Sequence, residues 1–204
     1  MSQTVVIWLV VLGLGVVVVR RRPVALALVA CQSALLAVVA TRHAFSAPDL
    51  IPAAGALWVR VVVITVVLGI GIARTPERRP LPAGIEPLTR AVIAIAVLMT
   101  VGVLVPPLGI ASAAVERGAL SLLALGIVIT MTRRATIIQI LGIVVSENAA
   151  TTLALSSAAA VPTVIELGVV FDLLLIAIVT TAFHERIFGE FGSGDAGVLR
   201  GLRD

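Results

Sequence analysis

The sequence predicts an all-α, polytopic membrane protein of about seven transmembrane helices, with the N-terminus outside and the C-terminus cytoplasmic. Three observations lead there. Hydrophobic residues make up 60% of the chain and charged residues 13%, whereas charged residues alone approach about a quarter of a soluble domain. Apolar runs long enough to cross a bilayer recur along the whole chain, separated by gaps rich in Pro, Gly and Arg. The arginines in those gaps fall almost entirely on one side if each run crosses once.

At about 20 to 25 residues per span with its loop, the 204 residues are used up by the helices. No length remains for a soluble domain. The first run, about Val5 to Val19, has no preceding positive charge and is followed at once by Arg20, Arg21 and Arg22. That order is the reverse of a signal peptide, so a retained helix is expected. Pro23 restarts the chain, and a second span runs to about Val39 before a polar loop from Thr41 to Pro52. A third covers about Ala54 to Ala73, with Trp58 as an interface anchor near its start. Arg74 to Pro87 is Pro-rich and charged, the mark of a surface loop.

A fourth span from about Leu88 to Val105 is stopped by Pro106 and Pro107. The fifth runs from about Ala119 to Met131 with the preceding Ala-rich turns, the sixth from Ala135 to about Ala154, and the seventh from Pro162 to about Phe183. With this count, Arg20, Arg21, Arg22, Arg74, Arg78, Arg79, Arg90, Arg133, Arg134, Arg186, Arg200 and Arg203 share one side, against Arg42 and Arg117 on the other. The arginine-rich side is cytoplasmic by the positive-inside rule. These arginines form no stripe with aromatic residues, which excludes nucleic-acid binding. The tail from Gly189 is Gly-rich and polar, too poor in apolar residues to fold alone.

Cysteine chemistry is equally limited. Cys31 is the only cysteine, so no disulfide framework, zinc cluster or iron–sulfur site can come from this chain alone, and it is expected in the core. His43 and His184 sit near opposite ends of different spans and fit interfacial roles.

Four charged residues stand out because lipid should forbid them. Glu147, Glu166, Asp172 and Arg60 lie inside apolar runs, where a charge costs at least about 2.5 to 3.5 kcal/mol. Arg60 can snorkel to the surface or pair with a buried acid, and both readings stay open. On the sixth helix Gln139, Gly142, Ser146 and Ala150 share a small and polar face suited to close helix packing. Glu147 lies beside that face, with Asn148 and Thr151 as hydrogen-bonding neighbours. Glu166 and Asp172 are six residues apart, about 120° around the helix, so they meet different neighbours. A carboxyl group held in an apolar site can take up and release a proton. Proton handling is one function of such acids; neutral interhelical hydrogen bonding is the other.

The region also carries a family resemblance. The segments Gln-x-Leu-Gly-x4-Glu-Asn-Ala (Gln139 to Ala149), Ile-Glu-Leu-Gly-x3-Asp (Ile165 to Asp172) and Phe-Gly-Ser-x-Asp (Phe191 to Asp195) resemble the hydrogenase-4 component E family, a membrane subunit of group 4 NiFe hydrogenases. The motifs cover the last third of the chain; length and apolar character agree over the whole. More distantly, residues 119–188 resemble the three-helix K subunit of respiratory complex I, with helices 1–4 in residues 1–118 and a cytoplasmic tail in 189–204. Glu147 then sits one helical turn from that subunit's first Glu, on the same face at a different depth.

The resemblance implies a subunit of the proton-translocating membrane arm in a bacterial inner membrane, beside antiporter-like subunits and beneath a soluble hydrogenase module. It implies no cofactor in this chain, the NiFe centre and iron–sulfur clusters belonging to partner subunits, and no catalysis by the chain alone. A scaffold subunit of a related complex or of a cation/proton antiporter complex, and an autonomous small transporter, are the other readings.

Overall fold

The computed structural model describes residues 1–75, 85–106, 109, 111–156, 178, 181, 186, 188 and 189. Among them are six α-helices: α1 (Gln3–Val18), α2 (Arg22–Ser46), α3 (Ile51–Arg74), α4 (Pro87–Leu104), α5 (Ala113–Thr132) and α6 (Thr136–Ala154). A single 3-10 turn, Pro48–Leu50, joins α2 to α3. Five of the helices, α2 to α6, are long and apolar enough to cross a membrane. α1 has 16 residues, about 24 Å at 1.5 Å per residue. The chain thus has the build of a multi-pass membrane protein. The seventh span expected at Pro162 to Phe183 lies outside the described residues apart from Ile178 and Thr181, both helical.

Helix starts follow from proline. Pro23, Pro52 and Pro87 occupy the first or second position of α2, α3 and α4, where a missing N–H is no loss. Two residues past the end of α4, Pro106 prevents its continuation. α1, α2, α6 and α5 form a closed ring in which each helix packs on the next. α3 lies outside this ring against α2, and α4 outside it against α5 and α1. The core is drawn mainly from the ring, where Leu9, Leu36, Leu122, Leu125, Ile129 and Leu141 are almost wholly buried, with Leu68 of α3 and Ala94 of α4 added from outside it. Val59, Val62, Val66, Val92, Ile95 and Met99 of the two outer helices are exposed, as lipid-facing residues should be.

α5 and α6 approach closest. A Cβ added to Gly126 would lie 2.6 Å from the Gly142 carbonyl oxygen, and one added to Gly142 would lie 2.8 Å from the Gly126 carbonyl oxygen. Here backbone meets backbone, which only glycine allows. The turn between them is closed by Gln139, whose Nε2 donates to the Arg133 carbonyl at 2.8 Å.

Two expectations need correction. Thr41 to Ser46 is not loop: α2 continues through it to Ser46. Nothing in Thr41–Ser46 breaks a helix, Thr41 Oγ1 donates back to the Ala37 carbonyl at 2.8 Å, and the chain turns only at Pro48. Polarity there marks the end of the apolar segment, not of the helix. Cys31, expected in the core, is exposed, because α2 turns Val29, Gln32 and Leu36 inward instead.

Candidate functional site

A polar chain crosses the interior of this apolar bundle. From α3, Arg60 Nη2 donates to Asn148 Oδ1 at 3.1 Å and Nη1 to Thr151 Oγ1 at 3.3 Å. From α6, Asn148 Nδ2 donates to Gln32 Oε1 of α2 at 2.8 Å and to Ser33 Oγ at 3.0 Å. Gln32 Nε2 in turn donates to the Leu9 carbonyl of α1 at 2.8 Å. Ser33 Oγ also donates to Asn148 Oδ1 at 3.2 Å, closing a small ring at the centre. Four helices are thereby tied together, and along the path Arg60–Asn148–Gln32–Leu9 the donors run in one direction, an order in which each bond polarises the next.

The sequence makes this possible locally. Gln32 and Ser33 lie on the face of α2 that turns into the ring, and Asn148 lies on the face of α6 that meets it. Arg60 is the tenth residue of α3, about 14 Å along the helix, since α3 begins before Ala54. From that depth its guanidinium turns inward: the residue is 3% exposed and Asn148 1%. The snorkelling reading does not describe it. Its hydrogen bonds go to neutral oxygens, and Glu147, one position before Asn148, is the carboxyl group whose charge reaches it.

Glu147 itself is half-buried on α6, and its carbonyl accepts from Thr151 Oγ1 at 2.9 Å. Of the other residues singled out in sequence, Ser146 and Gln139 lie half-buried along α6 with Gly142 between them, Ser146 Oγ donating to the Gly142 carbonyl at 3.2 Å. These serve the α5–α6 contact, whereas Asn148 belongs to the polar chain. Glu166, Asp172, His184 and the Phe191–Asp195 motif lie outside the described residues.

Two members of the chain and one further buried acid are not singled out by the sequence pattern. Gln32 and Ser33 could have been found as a polar pair in mid-run, at a depth where unpaired amides are costly. Glu116 falls in the Ala-rich turns that precede Ala119, where the sequence does not single it out. It is in fact 0% exposed, in the first turn of α5, with its Oε1 accepting from the Ala111 backbone N–H at 2.8 Å. An acid suits that end of a helix dipole.

Chemically, the polar chain holds one cation in the interior, with the Glu147 carboxyl group close enough for its charge to act on it. The amides between Arg60 and Leu9 orient and polarise but do not titrate. Among the described residues no group of three His, Cys, Asp or Glu is placed to hold a metal ion. No family model matches the chain, and no curated protein or solved structure matches it either.

Proposed function

We propose that the chain is a non-catalytic membrane-arm subunit of a complex I-like, membrane-bound NiFe hydrogenase, in which Glu147 exchanges protons beside the fixed charge of Arg60. The observation that carries the reading is the buried Arg60–Asn148–Gln32 chain with Glu147 next to it. A cation buried in the interior of a membrane bundle is expensive to keep. A structural need alone is met more cheaply by apolar packing, so a charge retained there favours ion or proton handling.

The hydrogenase assignment rests on the motif resemblance in residues 139–195. In this reading Glu166 and Asp172 extend the proton path from the following segment, and the arginine-rich side is cytoplasmic. The nickel–iron centre and iron–sulfur clusters belong to partner subunits. The scaffold reading is favoured by a different observation, the backbone contact of Gly126 with Gly142, which serves assembly whether or not protons move.

The test is purification of the tagged chain in mild detergent, with co-purifying subunits identified by mass spectrometry and hydrogen-dependent dye reduction assayed. Antiporter-like subunits with a NiFe large subunit and hydrogenase activity support the proposal. Recovery of the chain with an unrelated soluble module, or alone, removes hydrogenase from it.

A further inference from the structure

The two ends of the polar chain differ in kind, and the difference fixes what lies between them. Leu9 lies inside α1, and its carbonyl oxygen has a second lone pair beyond the one its own helix uses; it accepts hydrogen bonds and cannot give one. The Arg60 guanidinium at the other end donates and cannot accept. Two amides stand between, and one orientation of each satisfies both ends: Gln32 Nε2 to Leu9, Asn148 Nδ2 to Gln32 Oε1, and Asn148 Oδ1 to Arg60. Ser33 Oγ accepts from Asn148 Nδ2 at 3.0 Å and donates to Oδ1 at 3.2 Å. A hydroxyl serves either orientation of an amide, so Ser33 does not choose. The choice comes from α1, through Gln32.

Room for Gln32 comes from a glycine. Gly13 stands one helical turn after Leu9, and a Cβ there would lie 3.2 and 3.3 Å from the Leu122 and Leu125 side chains and 3.4 Å from Gln32 Nε2. Gln32 is 0% exposed and bonded through both of its polar atoms. Turning its amide over would set oxygen against the Leu9 carbonyl and nitrogen against Asn148 Nδ2, two mismatched pairs in a buried place where unmet polar groups are costly.

At the far end the same order reaches the acid. Arg60 Nη1 donates to Thr151 Oγ1 at 3.3 Å. Glu147 stands one turn before Thr151 on the same face of α6, its carbonyl accepting from that hydroxyl at 2.9 Å. Any movement of the guanidinium off Asn148 is therefore a movement of positive charge relative to Glu147.

We propose that Gln32 is a positioning residue: held by the Leu9 carbonyl, it keeps the Asn148 oxygen turned to Arg60 and so fixes the guanidinium beside the Glu147 turn of α6. Without it, Arg60 alone orients Asn148 and the two groups move together. With it, Asn148 is anchored from α1 and Arg60 is anchored to Asn148. The role in proton exchange rests on the reading of Glu147 given above; the anchoring itself does not.

The test compares the parent with Gln32→Met, which keeps the length of the side chain and removes its amide, in the full chain with its co-purifying subunits. Nitrogen NMR of isotope-labelled arginine reads the Arg60 guanidinium, assigned by the loss of its signals in Arg60→Met. In the parent, Nη1 and Nη2 should give separate resonances, as restrained nitrogens do. In Gln32→Met that separation should be lost as rotation about the Nε–Cζ bond is freed, and hydrogen-driven translocation per unit of dye reduction should fall severalfold. Leu36→Ala, a truncation on the same buried face of α2, should leave the resonances apart, which tells anchoring from mere loosening of the core. Gln32→Asn, too short to span Leu9 and Asn148, carries the comparison if Gln32→Met does not fold. Resonances that stay separate without the Gln32 amide, or that merge equally in Leu36→Ala, would overturn the positioning role. Merging in Gln32→Met with no translocation by the parent would support the anchoring and remove the proton-path reading instead.

Discussion

Replacing Asn148 by leucine removes the junction of the polar chain, and the loss can be worked from its bonds. Asn148 makes four side-chain hydrogen bonds, one with Arg60, one with Gln32 and two with Ser33. Interhelical hydrogen bonds in membranes average about 0.6 kcal/mol, so together the four contribute about 2 to 3 kcal/mol. To this is added the loss of the partner of Gln32 Oε1 and of Arg60 Nη2, both on buried residues. Asn148→Leu should therefore destabilise the bundle by about 3 kcal/mol or more, and the distinctive signature lies in the second mutation. Arg60→Met in the Asn148→Leu background takes away the stranded charge, and since an apolar replacement of a buried charge is often neutral or stabilising, the double variant should be more stable than Asn148→Leu alone. The assay is a double-mutant cycle on thermal or denaturant unfolding in mild detergent. Additive losses, or an Asn148→Leu variant as stable as the parent, would refute the inference that one network holds these helices.

Further outcomes follow from the same contacts. Gly142→Leu forces a side chain into the Gly126 backbone and Thr130; overpacking costs about 1 to 3 kcal/mol in an ordinary core and should cost no less here, so α5–α6 association and recovery of folded protein should both fall. Arg133→Gln removes the hydrogen bonds that Arg133 Nη2 donates to the Val16 and Val17 carbonyls at the end of α1 and should lower stability by about 0.3 to 1 kcal/mol, with faster amide exchange confined to residues near Val16–Val19. Because Arg133 is held down to about 10 in the folded chain, by burial first, the unfolded chain is the one that binds the extra proton above that pH. Its contribution thus rises only above about pH 10 and is flat from pH 6 to 8, so Arg133→Gln should leave the shape of a stability profile in that range unchanged.

Most of the helices were legible because apolar runs bounded by proline and arginine leave few alternatives in lipid. Pro23, Pro52 and Pro87 mark starts that the structure uses. Boundaries failed where polarity and helicity part company: Thr41 to Ser46 is polar enough to read as loop, yet it holds no residue that ends a helix. Arg60 and Asn148 were visible as unusual residues, but their meeting was not, since it joins positions 88 residues apart. Gln32 shows the limit most clearly. With Ser33 it forms a polar pair in a Val, Leu and Ala run, but its partners depend on which face of α2 the ring encloses. The close approach of Gly126 and Gly142 is of the same kind: each glycine is ordinary in its own run, and only the crossing of α5 with α6 makes a side chain impossible there.

On the proposed membrane-arm function, Glu147→Gln in the co-purified hydrogenase complex is the most direct measurement, reading hydrogen-driven proton translocation in vesicles alongside uncoupled hydrogen-dependent dye reduction. Assembly and dye reduction should stay near the parent while translocation falls at least tenfold. Full translocation by that variant would contradict a proton path through Glu147 and leave the buried chain as a structural device.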